Sequence, residues 1–248
     1  NGGRRLRWLQ RLRPDMLRFV KMNANAQKLN LLGIAAGRGG CRGGAENGPL
    51  ELRRRGLTQR LIQHGYIIED LGDVPGVYET RFAIDRADIN HLRNVLQVNR
   101  HTHACVLGTR TRDPAAFLLI VGGDHSLAIG ALAGLADTCG RLGLIWMDAH
   151  ADFNTPRTSP SGNAHGMSLA TACGYGHRAL CTLAGRTPMI AEEDVVLLGC
   201  REIDPGEEEL LRQTRLTRLS ADEWRRAGIV EVALEQAQGV RAGHHQGR

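Results

Sequence analysis

Two carboxylates and one imidazole alternate in the segment Asp148-Ala-His150-Ala-Asp152, and their oxygen and nitrogen atoms are common ligands of divalent cations. In an extended chain every second residue points to the same side, so the three groups should converge. Such a mixed set suits Mn²⁺ or Fe²⁺ better than Mg²⁺, which takes oxygen ligands. The alternative is that the aspartates merely cap loops or helices, but unpaired carboxylates buried beside Trp146 and Met147 would be costly. The spacing therefore predicts a cation site.

Two further polar segments belong to the same part of the sequence. His125 lies in Gly122-Gly-Asp-His-Ser directly after a short apolar run. A lone histidine in such a position is more often a satisfied loop or core residue than a ligand, but a second strand-end imidazole suits the cation site. The segment 154–166 is a loop of hydroxyl and amide side chains that contains another histidine, His165, near its end.

Strands and helices must bring these segments together. Apolar runs predict strands at 29–36, 66–71, 117–121, 144–147 and 194–198. Helices are predicted at 49–64, 79–97, 127–139 with Ser126 as the N-cap, 167–173, 206–213 and 220–237. Strands that alternate with helices indicate a parallel sheet covered on both faces, which is an α/β fold with three αβα layers. In such sheets ligands bind beyond the carboxyl ends of the strands.

Length and composition are typical of one compact unit. The 248 residues with 42% hydrophobic content can bury one sizeable core, so residues 29–237 are expected to form a single domain. No apolar run approaches the roughly 18 residues of a membrane helix, and no secretory signal is recognised. Six scattered cysteines argue against a zinc ribbon or a disulfide framework and favour reduced thiols. We expect a soluble cytoplasmic protein.

The formal charge of +6 lies in the first 21 residues, and the rest of the chain is formally neutral. A basic leader on a neutral body argues against a nucleic-acid partner. The leader, residues 1–28, is interpreted either as a disordered or non-native segment or as an Arg-rich organellar presequence, and its lack of serine favours the former. The glycine-rich segment 37–44 fits neither common nucleotide-binding motif, which favours a flexible turn over a phosphate cradle.

Three of these segments resemble signature segments of the arginase/ureohydrolase family and occur in the family's order. They are Gly122-Gly-Asp-His-Ser, Asp148-Ala-His-Ala-Asp-Phe-Asn-Thr-Pro and Ser161-Gly-Asn-Ala-His-Gly. The segment 38–49 is similar to the family's opening loop, and the likeness extends over residues 29–237. The resemblance implies an arginase-like fold and two Mn²⁺ ions, with a metal-bridging hydroxide that attacks the guanidinium carbon of L-arginine. It also implies L-ornithine and urea as products and a homo-oligomer, either a trimer or a hexamer.

The resemblance further implies roles for the metal-binding residues. His125 and Asp152 match ligands of one manganese, and His150 matches a ligand of the other. Asp148 matches the carboxylate that bridges the two ions. Asp124 resembles a residue that supports the site through hydrogen bonds.

His165 resembles the family's proton-shuttling histidine, because an imidazole can relay a proton to a leaving amine near neutral pH. Other residues match groups that bind the substrate: Asn154, Ser159, Ser161 and Asn163 for the α-carboxylate, and Asp204 and Glu207 for the α-ammonium. Agmatine lacks the carboxylate, so these donors favour arginase over agmatinase. Discrimination by buried hydrogen-bond partners can reach the order of 10⁴-fold.

The family pattern also has a later strand that ends in an Asp-x-Asp pair, whose acids bind metal, and then a glutamate that faces the guanidinium. Neither is found after Trp224. Residues 238–248 lack strand periodicity, and His244 and His245 are more typical of a disordered tail than of substitute ligands. These features predict that the C-terminal strands are missing through truncation or a frameshift. The chain is then expected to retain metal weakly and release little urea, and the alternative function is an inactive metal-binding fragment.

Overall fold

A computed structural model of the chain describes residues 28–75 and 89–223. Several predictions concern segments that lie outside these ranges: the leader before Lys28, residues 79–88 of the predicted helix 79–97, the predicted helix 220–237 beyond residue 223, and the tail 238–248. Those predictions, and the domain boundaries drawn from them, stay predictions.

Six parallel strands carry the fold of the described residues. They are β1 Lys28–Ile34, β2 Ile67–Asp73, β3 Phe117–Gly122, β4 Leu144–Met147, β5 Val195–Cys200 and β6 Thr217–Ser220. They form two three-stranded sheets, in the orders β2-β1-β3 and β4-β5-β6. The five strands expected from apolar runs are confirmed. The sequence pattern does not reveal β6, because this edge strand has one apolar residue in Thr217-Arg-Leu-Ser and starts with exposed side chains.

Seven α-helices accompany these strands in the same part of the chain. They are α1 Gly48–Arg54, α2 Leu57–Gln63, α3 Leu92–Arg112, α4 Ala128–Thr138, α5 Ser168–Ala172, α6 Arg178–Cys181 and α7 Pro205–Leu211. The prediction of one helix over 49–64 is wrong, because Gly56 has a left-handed φ of 81° and separates α1 from α2. The helices predicted at 167–173 and 206–213 are confirmed as α5 and α7.

Alternating residues of β1 show that helices cover both faces of the first sheet. Leu31 packs in an apolar cluster with Leu61 of α2. Leu32 belongs to a separate cluster with Val98 of α3 and Ala131 of α4. Neighbouring residues of a strand point to opposite faces, so α2 lies on one side and α3 and α4 lie on the other. The expected αβα layering is confirmed.

Helix α3 ends at Arg112, far beyond the predicted end at Gln97. The part of α3 after Gln97 is stabilised by contact with α4. The sequence pattern does not reveal this contact, because polar residues follow Gln97. Asn99 Oδ1 accepts a hydrogen bond from Gly130 N at 2.6 Å. A Cβ atom at Gly130 would lie 2.4 Å from Asn99 O, so the two helix backbones approach more closely than a larger residue would allow.

The largest apolar core lies against the second sheet. Phe153, Leu169 and Leu197 are fully buried there. Arg141 closes its rim, because its guanidinium donates to the buried carboxylate of Asp194 through Nε at 2.6 Å and Nη2 at 2.7 Å. This core supports the segment that follows β4, which carries the candidate site.

The cysteines agree with the expectation from composition. All six cysteines are free thiols, and burial raises the pKa of Cys173 to about 12. Over the ranges that the structure describes, we find no helix with both the length and the apolar character needed to cross a bilayer.

Candidate active site

Three side chains that can bind a metal meet beyond the carboxyl ends of β3 and β4. His125 follows β3, whereas Asp148 and Asp152 follow β4. His125 Nδ1 lies 2.6 Å from Asp152 Oδ2 and 3.2 Å from Asp148 Oδ2. One ligand atom from each residue lies within 4.8 Å of the other two, which is close enough for all three to hold one metal ion. We call these three residues the metal triad.

A capped turn places His125 in the metal triad. His125 begins the 3-10 helix His125–Leu127, and Asp124 Oδ1 caps this helix by accepting a hydrogen bond from Ser126 N at 2.8 Å. The other oxygen, Asp124 Oδ2, accepts one from Gly39 N in the glycine-rich loop at 2.9 Å. The prediction of Ser126 as the N-cap is therefore wrong, because the side chain of Asp124 caps this turn instead. Both Asp124 oxygens bind backbone, which supports a role beside the metal.

The metal triad fits a divalent cation. Asp152 Oδ2 is buried and has no hydrogen-bond partner among the described residues, although His125 Nδ1 lies 2.6 Å away. A neutral imidazole nitrogen and a carboxylate oxygen each have a lone pair that can bind a shared cation. Burial disfavours the charged form of His125, but the carboxylates of Asp152, Asp148 and Asp124 outweigh it and raise its pKa. The same negative charge would attract a metal ion.

His150 lies beside the metal triad without being one of its three residues, so the expected convergence is observed for Asp148 and Asp152 and stays a prediction for His150. The extended alternation ends because Asp152 has a left-handed φ of 48°. His150 Nε2 lies 3.4 Å from Glu202 Oε2, and the two residues form an isolated parallel β-bridge. His150 Nδ1 lies 3.5 Å from Asp148 Oδ1. Asp148 therefore presents one oxygen to each of two imidazoles, and a second ion at His150 stays a prediction.

A polar cavity of about 540 Å³ adjoins the metal triad. It receives side chains from three segments: His150 and Asp152 after β4, Asn154, Ser159, Ser161 and His165 from the loop, and Glu202, Asp204 and Glu207 after β5. Most of the residues predicted to bind substrate therefore line one space beside the candidate metal ligands.

The loop 154–166, which was expected to bind the substrate α-carboxylate, is held mainly by hydrogen bonds within the loop. Ser159 Oγ accepts one from Gly162 N at 3.0 Å, and Ser161 Oγ accepts one from Asn163 N at 3.2 Å. Asn163 Oδ1 accepts one from Asn90 Nδ2 at 2.9 Å, and Asn163 is not among the described residues that line the cavity. Ser159 Oγ and Ser161 Oγ also lie 3.5 Å apart and can share one hydrogen bond, which leaves at least one hydroxyl proton for a ligand.

Asn154 and Asp204 form a pair across the cavity. Asn154 is buried, and its Nδ2 donates to Asp204 Oδ2 at 2.8 Å. Asn154 Oδ1 accepts a hydrogen bond from Thr158 Oγ1 at 2.9 Å. The predicted carboxylate-binding residue and the predicted ammonium-binding residue are thus linked, so Asn154 orients Asp204.

Glu207 is the most enclosed acid in this cavity. Its side chain belongs to a capping box at the start of α7, and the residue is 3% exposed. Glu207 Oε1 accepts a hydrogen bond from Phe153 N at 2.6 Å, and Oε2 accepts one from Asp204 N at 3.1 Å. Burial raises the pKa of Glu207 despite these two donors. The contact of Glu207 with a substrate ammonium stays a prediction.

His165 lines the same cavity as the acids. It belongs to the 3-10 helix Ala164–Met167, which precedes α5. Its backbone N donates to Gly39 O at 3.0 Å, so the loop that binds Asp124 also fixes the main chain of His165. The imidazole is placed where it can exchange a proton with a ligand in the cavity.

Two residues of this region were not singled out by sequence reasoning. Asn90 holds the loop, because its Nδ2 donates to Ser161 O at 2.8 Å as well as to Asn163. No local pattern marks Asn90, since its partners lie 71 and 73 positions away. Glu202 could have been found, because it lies two residues before Asp204 at the end of a predicted strand.

The fold and the site together define an α/β protein with side chains suited to a divalent metal at the carboxyl edge of its parallel strands. The family model described as "Arginase family" matches residues 27–246. The chain therefore belongs to the arginase family, whose members hydrolyse C–N bonds of amidines with the help of metal.

Individual relatives agree with this assignment. An arginase from Bacillus caldovelox is 41% identical over 208 residues, which is 84% of this chain and 69% of the relative. Its solved structure aligns with a TM-score of 0.79 over 87% of this chain and 72% of that chain, at 39% identity. The arginase of Entamoeba histolytica in complex with L-ornithine aligns with a TM-score of 0.77 at 28% identity, over 88% of this chain and 73% of that one.

Proposed function

We propose that this chain is an arginase, which hydrolyses L-arginine to L-ornithine and urea with two Mn²⁺ ions. The observation that carries this proposal is a single cavity lined by the candidate metal ligands His150 and Asp152 and by Asp204, the carboxylate that Asn154 contacts. A substrate with a guanidinium at one end and an α-amino acid group at the other suits such a cavity. The similar arginase of Entamoeba histolytica binds L-ornithine, which carries the same amino acid group.

Four residues would hold the ions. His125 and Asp152 would bind one, His150 would bind the other, and Asp148 would bind both. Asp148 suits the bridging position because Oδ2 lies 3.2 Å from His125 Nδ1 and Oδ1 lies 3.5 Å from His150 Nδ1. A mixed nitrogen and oxygen set is one that Mn²⁺ accepts. When bound, the ions supply Lewis-acid activation of the attacking water.

The other side chains orient the substrate and supply a proton to the leaving amine. The hydroxyls of Ser159 and Ser161 donate to the α-carboxylate. Asp204, held by Asn154, accepts hydrogen bonds from the α-ammonium, since a carboxylate has further lone pairs to offer. His165 gives a proton from its imidazole to the leaving amine. With these roles, the guanidinium of the substrate lies next to Asp152, and the α-carboxylate and α-ammonium lie at the end of the cavity formed by the serines and Asp204.

Recognition of the carboxylate favours L-arginine over agmatine. Agmatine would forgo the hydrogen bonds that the serine hydroxyls offer to the α-carboxylate, so its transition state would be bound less tightly than that of L-arginine. A homo-oligomeric assembly and a cytoplasmic location accompany this proposal as inferences from the family resemblance.

The test is release of urea with excess Mn²⁺ from L-arginine and, separately, from agmatine. We expect L-arginine to be preferred by about 10²-fold or more. Asp152→Ala should abolish release, whereas Glu51→Gln, at an exposed position of α1, should leave it unchanged. Equal or faster turnover of agmatine, or turnover that does not depend on Mn²⁺, would contradict the proposal.

A further inference from the structure

Asp152 combines a candidate metal ligand with a backbone conformation that aspartate seldom adopts. Its φ is 48°, and only one other non-glycine residue of the described part, His91, has a positive φ. In this region Cβ comes close to the following carbonyl oxygen, so the conformation persists only where neighbouring groups hold it. The direction of the Asp152 carboxylate depends on this conformation, because the side chain leaves the backbone at the same Cα.

Hydrogen bonds hold the peptide groups after Asp152. The carbonyl oxygen of Asp152 accepts hydrogen bonds from Leu169 N at 2.9 Å and Ala170 N at 3.1 Å, at the start of α5. The N–H of the same peptide unit belongs to Phe153 and donates to Glu207 Oε1 at 2.6 Å. The peptide plane is therefore fixed from both of its edges, once by a helix and once by a carboxylate.

Glu207 is unusual among the acids of the cavity because backbone donors occupy both of its oxygens. Oε2 accepts a hydrogen bond from Asp204 N at 3.1 Å, and no basic side chain of the described residues forms an ion pair with Glu207. A carboxylate that is 3% exposed is kept in place by such donors, since its burial is otherwise costly. Neither oxygen is needed for the metal triad, and neither is directed at a cation.

We propose that Glu207 is a positioning residue: by binding the Phe153 N–H it holds Asp152 in the left-handed conformation and so directs the Asp152 carboxylate toward His125. This inference rests on the proposed function, in which Asp152 binds Mn²⁺. It gives Glu207 a different task from contact with the substrate ammonium, and the two tasks change different measured quantities.

The experiment compares Glu207→Gln and Glu207→Asp with the unmodified chain. Glutamine keeps the size but offers an NH₂ group to one of the two N–H donors, and aspartate keeps the charge but is too short to reach both. We expect the Kd for Mn²⁺, measured from the free Mn²⁺ signal in electron spin resonance, to rise about tenfold or more in each variant. The KM for L-arginine at saturating Mn²⁺ should stay within twofold. Glu209→Gln, on the exposed side of the same helix, is the matched control and should alter neither value.

A rise of tenfold in KM with an unchanged Kd for Mn²⁺ would overturn the proposal, because Glu207 would then read the substrate. Hydrogen exchange of the Phe153 amide gives a second readout that needs no metal. This amide should exchange about tenfold faster or more in Glu207→Asp than in the unmodified chain, and equal exchange in the two would also overturn the proposal. If the unmodified chain binds no Mn²⁺, the proposed function fails, while this comparison of exchange rates still decides whether Glu207 holds the peptide.

Discussion

The indole ring of Trp146 stacks on the imidazole ring of His125, with ring centroids 4.4 Å apart and ring planes 18° apart. Trp146 is the third residue of β4, and His125 follows β3, so the stack joins the two strands that deliver the metal triad. The indole Nε1 is buried and has no hydrogen-bond partner in the described part of the chain. Trp146 therefore acts through its flat surface, which restricts rotation of the His125 ring.

The first prediction follows from this stack. Trp146→Leu should weaken binding of Mn²⁺ about tenfold, because His125 loses the surface that orients it. Trp146→Phe keeps an aromatic surface and sacrifices no hydrogen bond, so its Kd should stay within about threefold. Calorimetric titration with Mn²⁺ measures both. Equal weakening by the two variants would mean that ring stacking is not the reason for the position of His125.

The second prediction concerns stabilisation by metal. Mn²⁺ at a hundred times its Kd should raise the free energy of unfolding by about 2.7 kcal/mol, since only the folded triad binds it. Asp152→Ala should remove this increase, because it deletes the buried ligand of the triad. Denaturant unfolding with and without Mn²⁺ is the measurement. Glu209→Gln, at a side chain that is 66% exposed, is the control, and loss of the increase in this variant as well would argue against a specific site.

The third prediction concerns the pair Asn154 and Asp204. Their hydrogen bond of 2.8 Å should make the effects of Asn154→Ala and Asp204→Ala on binding of L-ornithine non-additive, with a coupling of about 1 kcal/mol. Binding of L-ornithine and of putrescine, which lacks the carboxylate, is measured by calorimetry for the single and double variants. Strict additivity would show that Asn154 does not orient Asp204.

The fourth prediction concerns the turn before His125. A Cβ atom at Gly123 would lie 1.6 Å from the backbone atom Ala36 O, so Gly123→Ala should lower the free energy of unfolding by about 3 kcal/mol. Gly43→Ala is the matched control, because its Cβ would meet no atom within 4 Å. Urea unfolding curves compare the two. A change below about 1 kcal/mol at Gly123 would contradict the close contact between these strand ends.

The fifth prediction concerns pH. Arg53 donates to Asp70 through Nε at 2.8 Å and Nη2 at 2.9 Å, and these hydrogen bonds lower the pKa of Asp70. A lowered pKa in the folded state stabilises the protein above the unfolded pKa, and the contribution is lost as the pH falls through the folded pKa. Arg53→Gln should therefore cost about 1 kcal/mol at pH 7, and the difference should shrink from about pH 4 downward.

The control for this prediction is Arg55→Gln. The Arg55 side chain is 83% exposed and its Nε lies 4.0 Å from Glu51 Oε2, so the change should have little effect at any pH. Denaturant unfolding between pH 7 and pH 2 provides the data. A difference between Arg53→Gln and the unmodified chain that stays constant over this range would rule out the ion pair as its source.

The sequence by itself determined which segments form strands or helices and where the candidate metal ligands lie relative to the strand ends. The run Leu144–Met147 is observed as β4 over the predicted range, because a run of apolar residues favours a strand of a parallel sheet. The predicted burial of the whole run is wrong, since Trp146 is buried but Met147 is 63% exposed. The same logic placed His125, Asp148 and Asp152 beyond strand ends that lie at one edge. Period and burial are local properties, so they can be read along the chain.

Only the tertiary structure decided how these groups are used. The hydrogen bond from Phe153 N to Glu207 joins residues 54 positions apart, and the one from Gly39 N to Asp124 joins residues 85 positions apart. Contacts between distant segments also place His150 beside Glu202 and engage both oxygens of Glu207. A side chain's partner depends on which segments fold against each other, and no periodicity in a single sequence encodes that.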